Sequence, residues 1–313
     1  MKRIWILGLV LALVLTTVGT PVRAKHYSDW SPAVKLTGIS TNYSESCPAI
    51  SRDGLSLYTA SNRPPTAFPN TDIYVCQRAS VDDPWGQPQI LGDNINTADT
   101  ERCPYVTPDG HKLIFVRQIG AVDYFYMSVR KDKRDDFGWG DPVRIDDISS
   151  AGMETAPWGF ENENGTLTLY FGAVRPDFPG TGMDIYQSTM DSSGSWTKPV
   201  PVTELNDPVA SVMDYGPVVR KDGLELFFTS SRAGGFGGWD IWMSTRSSTS
   251  GKWSAPVNLG PDINSGFDEW RFSITGDGMN AVFASNRDRL GVGGYVLMDL
   301  FTTYRTKVTS ANK

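Results

Sequence analysis

The 313-residue chain is 40% hydrophobic, 12% aromatic and 20% charged, with 31 Gly and 20 Pro, a composition that buries a full core and excludes disorder. A formal net charge of −6 leaves no cationic surplus to neutralise phosphates, which excludes a basic nucleic-acid binder. Two His and three Cys are too few for zinc sites built from His and Cys clusters, whereas an oxygen-ligand cation such as Ca²⁺ stays open and no organic cofactor is implied.

Along the chain, Lys2 and Arg3 precede an apolar run over 4–18, and Val22-Arg23-Ala24 offers small or modest residues where a signal peptidase reads. Residues 1–24 are therefore expected to be a signal peptide, leaving 25–313 as one exported domain, periplasmic or extracellular and monomeric. No later stretch reaches membrane-spanning length. His26 and His111 read as surface residues.

From residue 30 onward the sequence repeats. Trp followed two or three residues later by Pro occurs at Trp30, Trp85, Trp139, Trp196 and Trp253, spaced 55, 54, 57 and 57 residues apart. Asp53-Gly54, Asp109-Gly110, Asn164-Gly165, Asp222-Gly223 and Asp277-Gly278 keep the same period, as do Asp72-Ile73-Tyr74, Asp123-Tyr124-Phe125, Asp184-Ile185-Tyr186, Asp240-Ile241-Trp242 and Asp299-Leu300-Phe301. Each copy reads as four short strands. The first two are joined by a tight hairpin to which Asp-Gly lends positive φ angles, the second ends in Ser-x-Arg, and the fourth carries the Trp and Pro. No sustained helical period interrupts them.

Four-stranded units repeated radially predict an all-β, five-bladed β-propeller with blades over 45–91, 101–145, 154–205, 214–259 and 269–305. The segment 30–36 is a fourth strand with no blade before it, and the last copy stops at its third strand. Together they complete one blade, which closes the ring and removes its open edges.

The run of acidic residue, Pro, Ser-x-Asp-Gly, Ser-x-Arg and Gly-rich loop before Asp-Ile-Tyr, clearest from Asp222 to Trp242, resembles the WD-like β-propeller repeats of TolB-type exported bacterial proteins. That resemblance implies the propeller and leaves the function to the residues that break the repeat.

Counting back from each turn places Glu45, Glu101, Glu154, Asp214 and Glu269 at the starts of the innermost strands, around the channel on one face. Arg63, Arg175, Arg232 and Arg287, with Asp72, Asp184, Asp240 and Asp299, lie farther out on that face and read mainly as Arg–Asp pairs across hairpins. Five like charges around an axis favour raised pKa values or a bound Ca²⁺. Arg102, Trp158, Tyr215, Trp270 and Arg271 break the repeat beside the carboxylates and form, with them, the candidate ligand site, since aromatic planes next to charged groups suit a sugar. Cys47 and Cys103 hold equivalent inner positions and read as buried small side chains with a disulfide as the alternative. The preferred reading is a non-catalytic binding module for a protein, peptide or carbohydrate. The alternative is a glycoside hydrolase using Glu154, Asp214 and Glu269 as acid and base, because five-bladed propellers serve furanosidase and arabinanase-like enzymes.

Overall fold

The computed structural model describes residues 27–66, 70–150, 152–177, 182–289 and 297–308. The predicted signal peptide and His26 lie outside them. Twenty strands and no helix occur among the described residues. They form five four-stranded antiparallel sheets.

Blade 1 comprises β2 (Glu45–Ile50), β3 (Ser56–Ser61), β4 (Asp72–Gln77) and β5 (Gln89–Ile90). Blade 2 comprises β6 (Thr100–Val106), β7 (Lys112–Ile119), β8 (Val122–Val129) and β9 (Val143–Arg144). Blade 3 comprises β10 (Met153–Glu161), β11 (Leu167–Val174), β12 (Asp184–Thr189) and β13 (Val200–Pro201). Blade 4 comprises β14 (Asp214–Val219), β15 (Glu225–Ser230), β16 (Asp240–Thr245) and β17 (Val257–Asn258). Blade 5 comprises β18 (Glu269–Ile274), β19 (Asn280–Ser285) and β20 (Asp299–Tyr304), and β1 (Val34–Lys35) completes it by pairing Val34 with Thr302. The inner strands β2, β6, β10, β14 and β18 each touch the next, and β18 touches β2, so the ring is closed. The fold is the five-bladed propeller that the repeats imply.

Core side chains of one blade pack on those of the next. Trp30 of blade 5 meets Phe227 of blade 4 edge-on at 6.2 Å, Phe227 lies 5.0 Å from Phe272 of blade 5, and Phe125 of blade 2 lies 5.2 Å from Phe171 of blade 3. The repeated Trp belongs to this packing and also carries a stacked Arg. Arg78, Arg130, Arg246 and Arg305 lie 4.1, 4.2, 4.2 and 4.5 Å above Trp85, Trp139, Trp253 and Trp30. Each donates its Nε to a turn glycine, to the carbonyls of Gly54, Gly110, Gly223 and Gly278 at 2.6 to 2.8 Å. One guanidinium thus fastens the third strand, the first hairpin and the Trp of its blade.

The hairpin differs from the tight two-residue turn expected. Only the Gly has positive φ, as at Gly54 (76°) and Gly223 (72°), while the Asp carboxylate accepts the amide two residues on, as from Leu55 to Asp53 at 3.1 Å. The turn Gly amide bonds back three residues, to Ser51 O in blade 1 at 2.9 Å. Asp serves as the turn's acceptor, and the glycine alone supplies the left-handed step.

Every inner strand is broken by a bulge one residue past its acidic start, between Ser46 and Ala49, Arg102 and Tyr105, Thr155 and Trp158, Tyr215 and Val218, and Trp270 and Ser273. The bulged residues Cys47, Cys103, Ala156, Gly216 and Arg271 have φ of 49°, 50°, 51°, 65° and 54°. This turns them inward. Cys47 and Cys103 meet as a disulfide between blades 1 and 2, so they are not the separate buried thiols of the preferred sequence reading, and Cys76 is buried and free.

Candidate functional site

The five inner carboxylates are fully buried at one end of the channel, here the carboxylate face. Their partner is the Arg at the end of the second strand, not one another. Arg63 donates to Glu45 at 3.0 Å, Arg117 to Glu101 at 2.7 Å, Arg232 to Asp214 at 2.7 Å and Arg287 to Glu269 at 2.9 Å. This corrects the expected Arg–Asp pairing across hairpins. Arg117, two residues early in the sequence, reaches its carboxylate through Nε instead of Nη2. The Arg also donates to the carbonyl of a buried apolar residue in the preceding connection, Ile39, Ile95, Ile148 and Leu205 at 2.5 to 3.1 Å, and Ile263. The connection closes the arrangement from the other side. The amides of Thr41, Thr97, Asp207 and Ser265 donate to the second carboxylate oxygen of Glu45, Glu101, Asp214 and Glu269 at 2.7 to 3.0 Å.

Glu154 departs from this. Arg175 is 3.5 Å from its Oε1 and is shared with Asp177, Ser150 donates its hydroxyl to the same oxygen, and Oε2 has no partner. Burial raises its pKa above the usual carboxyl range, and the charge of Asp123 adds to the effect. Asp123 is the second residue of β8 in blade 2 and is 1% exposed. Its Oδ2 accepts Arg102 at 2.5 Å, its Oδ1 has no partner, and burial raises its pKa despite the guanidinium. Glu154 and Asp123 are therefore two buried carboxyls of raised pKa, each with one oxygen that lacks a hydrogen-bond partner, and only Asp123 has a guanidinium close enough to favour its anion strongly. By strand register Tyr124, not Asp123, stands where Asp72, Asp240 and Asp299 stand, so the Asp123-Tyr124-Phe125 copy read from the sequence is one residue out. Asp72, Asp240 and Asp299 are held by Thr66, by the amides of Phe236 and Gly237, and by Lys35 with Arg289 respectively.

Ser46, Arg102, Thr155, Tyr215 and Trp270 follow the five acids in register and surround the mouth. Tyr215 lies 5.1 Å from Trp239 and 6.5 Å from Trp270, all three partly exposed. The mouth has an aromatic half on blades 4 and 5 and a charged half, Arg102 with Asp123, on blade 2. Trp239 and Asp123 were not singled out by the sequence reading. Trp239 is the aromatic where the other blades place Thr71, Asp123, Met183 and Met298.

Two expected members of the site are elsewhere. Trp158 is 6% exposed, donates its Nε1 to Val219 O at 3.0 Å and lines a cleft of about 60 Å³ with Tyr105 and Phe160 at the opposite end, where the hairpin turns lie. Arg271 is 1% exposed and sealed within the channel. His111, read as a surface residue, is partly buried, its Nδ1 3.1 Å from Arg130 O. Among the described residues no three His, Cys, Asp or Glu side chains converge as metal ligands.

No protein-family model matches the chain, and no curated protein matches its sequence. Its fold is similar to those of solved structures. An endo-arabinase from Bacteroides thetaiotaomicron aligns at 14% identity and TM-score 0.60 over 90% of this chain and 99% of that one. An α-L-arabinofuranosidase from Lactobacillus brevis aligns at 14% identity and TM-score 0.60 over 89% and 96%. A thermostable family-43 glycoside hydrolase aligns at 12% identity and TM-score 0.56 over 88% and 93%. Identities this low establish the shared propeller. The structural neighbours are mainly glycoside hydrolases of families 43 and 62, which overturns the preference for a non-catalytic binding module. The likeness to TolB-type repeats is retained only as far as the propeller itself.

Proposed function

We propose that the protein is an exported glycoside hydrolase acting on furanosidic glycans such as arabinans, with its active centre on the carboxylate face between blades 2 and 3. The observation that carries this reading is the Glu154–Asp123 pair. Glycosidic cleavage needs two carboxyl groups, one protonated and one ionised, and this pair combines burial, an unused oxygen on each member and the charge of Asp123 acting on Glu154. Glu154, whose Arg is the more distant, keeps the proton and gives it to the leaving oxygen as the glycosidic C–O bond breaks. Asp123, held toward its anion by Arg102, faces the anomeric carbon, directly or through the attacking water. Tyr215, Trp239 and Trp270 supply ring faces for neighbouring sugar units. Of Glu154, Asp123 and their arginines, Arg102 is the member that faces solvent, its side chain 25% exposed. Of the three acids nominated by the sequence, Asp214 and Glu269 stay with Arg232 and Arg287 as supports of the ring.

The test is release of reducing ends from arabinan, arabinoxylan and fructan, and of the chromophore from an aryl α-L-arabinofuranoside, by wild type, Glu154→Gln and Asp123→Asn. Turnover by wild type that falls by a factor of about 10²–10⁴ in both variants, with melting preserved, supports the reading. Absence of wild-type turnover on all four substrates, or variants that retain it, overturns it.

A further inference from the structure

Among the described residues Arg271 is the largest side chain that is essentially sealed from solvent. It starts from a bulge on blade 5 and crosses the axis, because its Nη2 donates to Pro157 O of blade 3 at 2.8 Å and approaches Pro104 O of blade 2 at 3.4 Å. The other four bulged positions carry Cys47, Cys103, Ala156 and Gly216, and that small set is what admits a guanidinium to the axis. A Cβ at Gly216 would come within 3.9 Å of Arg271 Cδ. Nε and Nη1 have no hydrogen-bond partner, and none of the ion pairs among the described residues includes Arg271. Among the described residues its electrostatic relief comes from the face of Trp158, 5.7 Å away, two carbonyl dipoles and the Tyr105 phenol. Burial pushes its pKa down to about 9, the signature of a cation lacking a counter-charge.

A buried cation costs several kcal/mol unless a negative charge or a full set of acceptors compensates it. A water molecule placed at the two free N–H groups would satisfy hydrogen bonds and leave the charge. We propose that the propeller axis holds a dehydrated monovalent anion, chloride under physiological conditions, bound to Nε and Nη1 of Arg271. The disulfide, Ala156 and Gly216 offer no competing charge. The anion ties blade 5 to blades 2 and 3 through the guanidinium. This inference is independent of the glycosidase reading, since its ligand lies inside the ring and not at the mouth.

The experiment has two arms. In crystals grown in sodium bromide, an anomalous peak is expected within hydrogen-bond distance of Arg271 Nε or Nη1, and density accounted for by water alone overturns the proposal. In solution, the melting temperature of the full chain is followed while sodium gluconate is exchanged for sodium chloride at constant ionic strength. Wild type is expected to gain a few degrees for each tenfold rise in chloride above its Kd, and Arg271→Met, which keeps the length and drops the charge, is expected to show no such gain. A wild type indifferent to chloride, or an Arg271→Met variant that responds equally, overturns it. Should Arg271→Met fail to fold, the bromide arm on wild type decides.

Discussion

Glu269 and Glu154 occupy the same place in blades 5 and 3 and have unequal surroundings. Glu269 receives Arg287, the hydroxyls of Ser265 and Ser285 and the amide of Ser265, all within 2.6 to 2.9 Å. Its capacity to accept hydrogen bonds is spent on holding a connection to the ring. Glu154 keeps an oxygen free, with its Arg half turned to Asp177. The difference teaches that the repeat dictates where a carboxylate stands, while local departures from the repeat decide whether it has chemistry left to do.

The comparison is broken most severely by removing each charge. Glu154→Gln is expected to lower glycosidic turnover by a factor of about 10²–10⁴ while the fold survives, since its ion pair is long and shared. Glu269→Gln is expected to act on the fold, by roughly 3 kcal/mol in chemical denaturation, because Arg287 loses its counter-charge. That estimate takes the low end because 16% of the Arg287 side chain remains in water. Equal destabilisation by the two substitutions would falsify the distinction between them.

A pH series sharpens the same contrast. Burial raises the folded-state pKa of Glu154 above its ordinary 4.5, so its protonated form stabilises the fold fully below that value, and the contribution is lost as pH rises through the folded pKa. Stability of Glu154→Gln relative to wild type should therefore grow as pH increases from about 4.5. Turnover by wild type should decline over the same interval as the acid loses its proton. A difference between wild type and variant that stays flat with pH, by melting and by rate, counts against Glu154 as the proton donor.

The smallest effect is expected on the aromatic half of the mouth. Trp270→Ala should weaken binding of an arabino-oligosaccharide by about 1 kcal/mol through lost stacking. Calorimetry on the Glu154→Gln background reads it without turnover. An unchanged affinity removes Trp270 from the sugar platform and leaves it as packing against Tyr215.

Much of the fold was legible because Trp, Asp-Gly and Asp-Ile-Tyr solve the same packing and turn problems in every blade, so three series report one period. The closure of blade 5 by β1 followed from counting strands. Partner choice was not legible. Spacing shows that Arg232 and Asp240 share a face, but only the backbone path shows that Arg232 turns inward to Asp214 and the connection at Leu205. The bulge was equally hidden, since no residue type marks it: Cys, Ala, Gly and Arg all occupy it with positive φ. Without it, Arg271 reads as a residue of the mouth and the two Cys as neighbours without a bond. Asp123 entered the sequence reading only as a copy of Asp72, whereas the register gives that place to Tyr124 and sets Asp123 one residue earlier, where blade 4 has Trp239; the longer strands β7 and β8, with Arg117 early, hide the offset.

The seam in blade 5 also imposes an order in time. Ser31 and Thr303, whose hydroxyls lie 3.2 Å apart, are separated by 272 residues. Until β20 has emerged, β1 has no strand to pair with and the nascent chain is an open arc whose first and last elements wait for each other. Closing so long a loop carries an entropic cost that local hairpins do not. The ring is therefore completed only after the rest of the blades have been synthesised, and a chain threaded through a membrane residue by residue would cross it before that final joint exists.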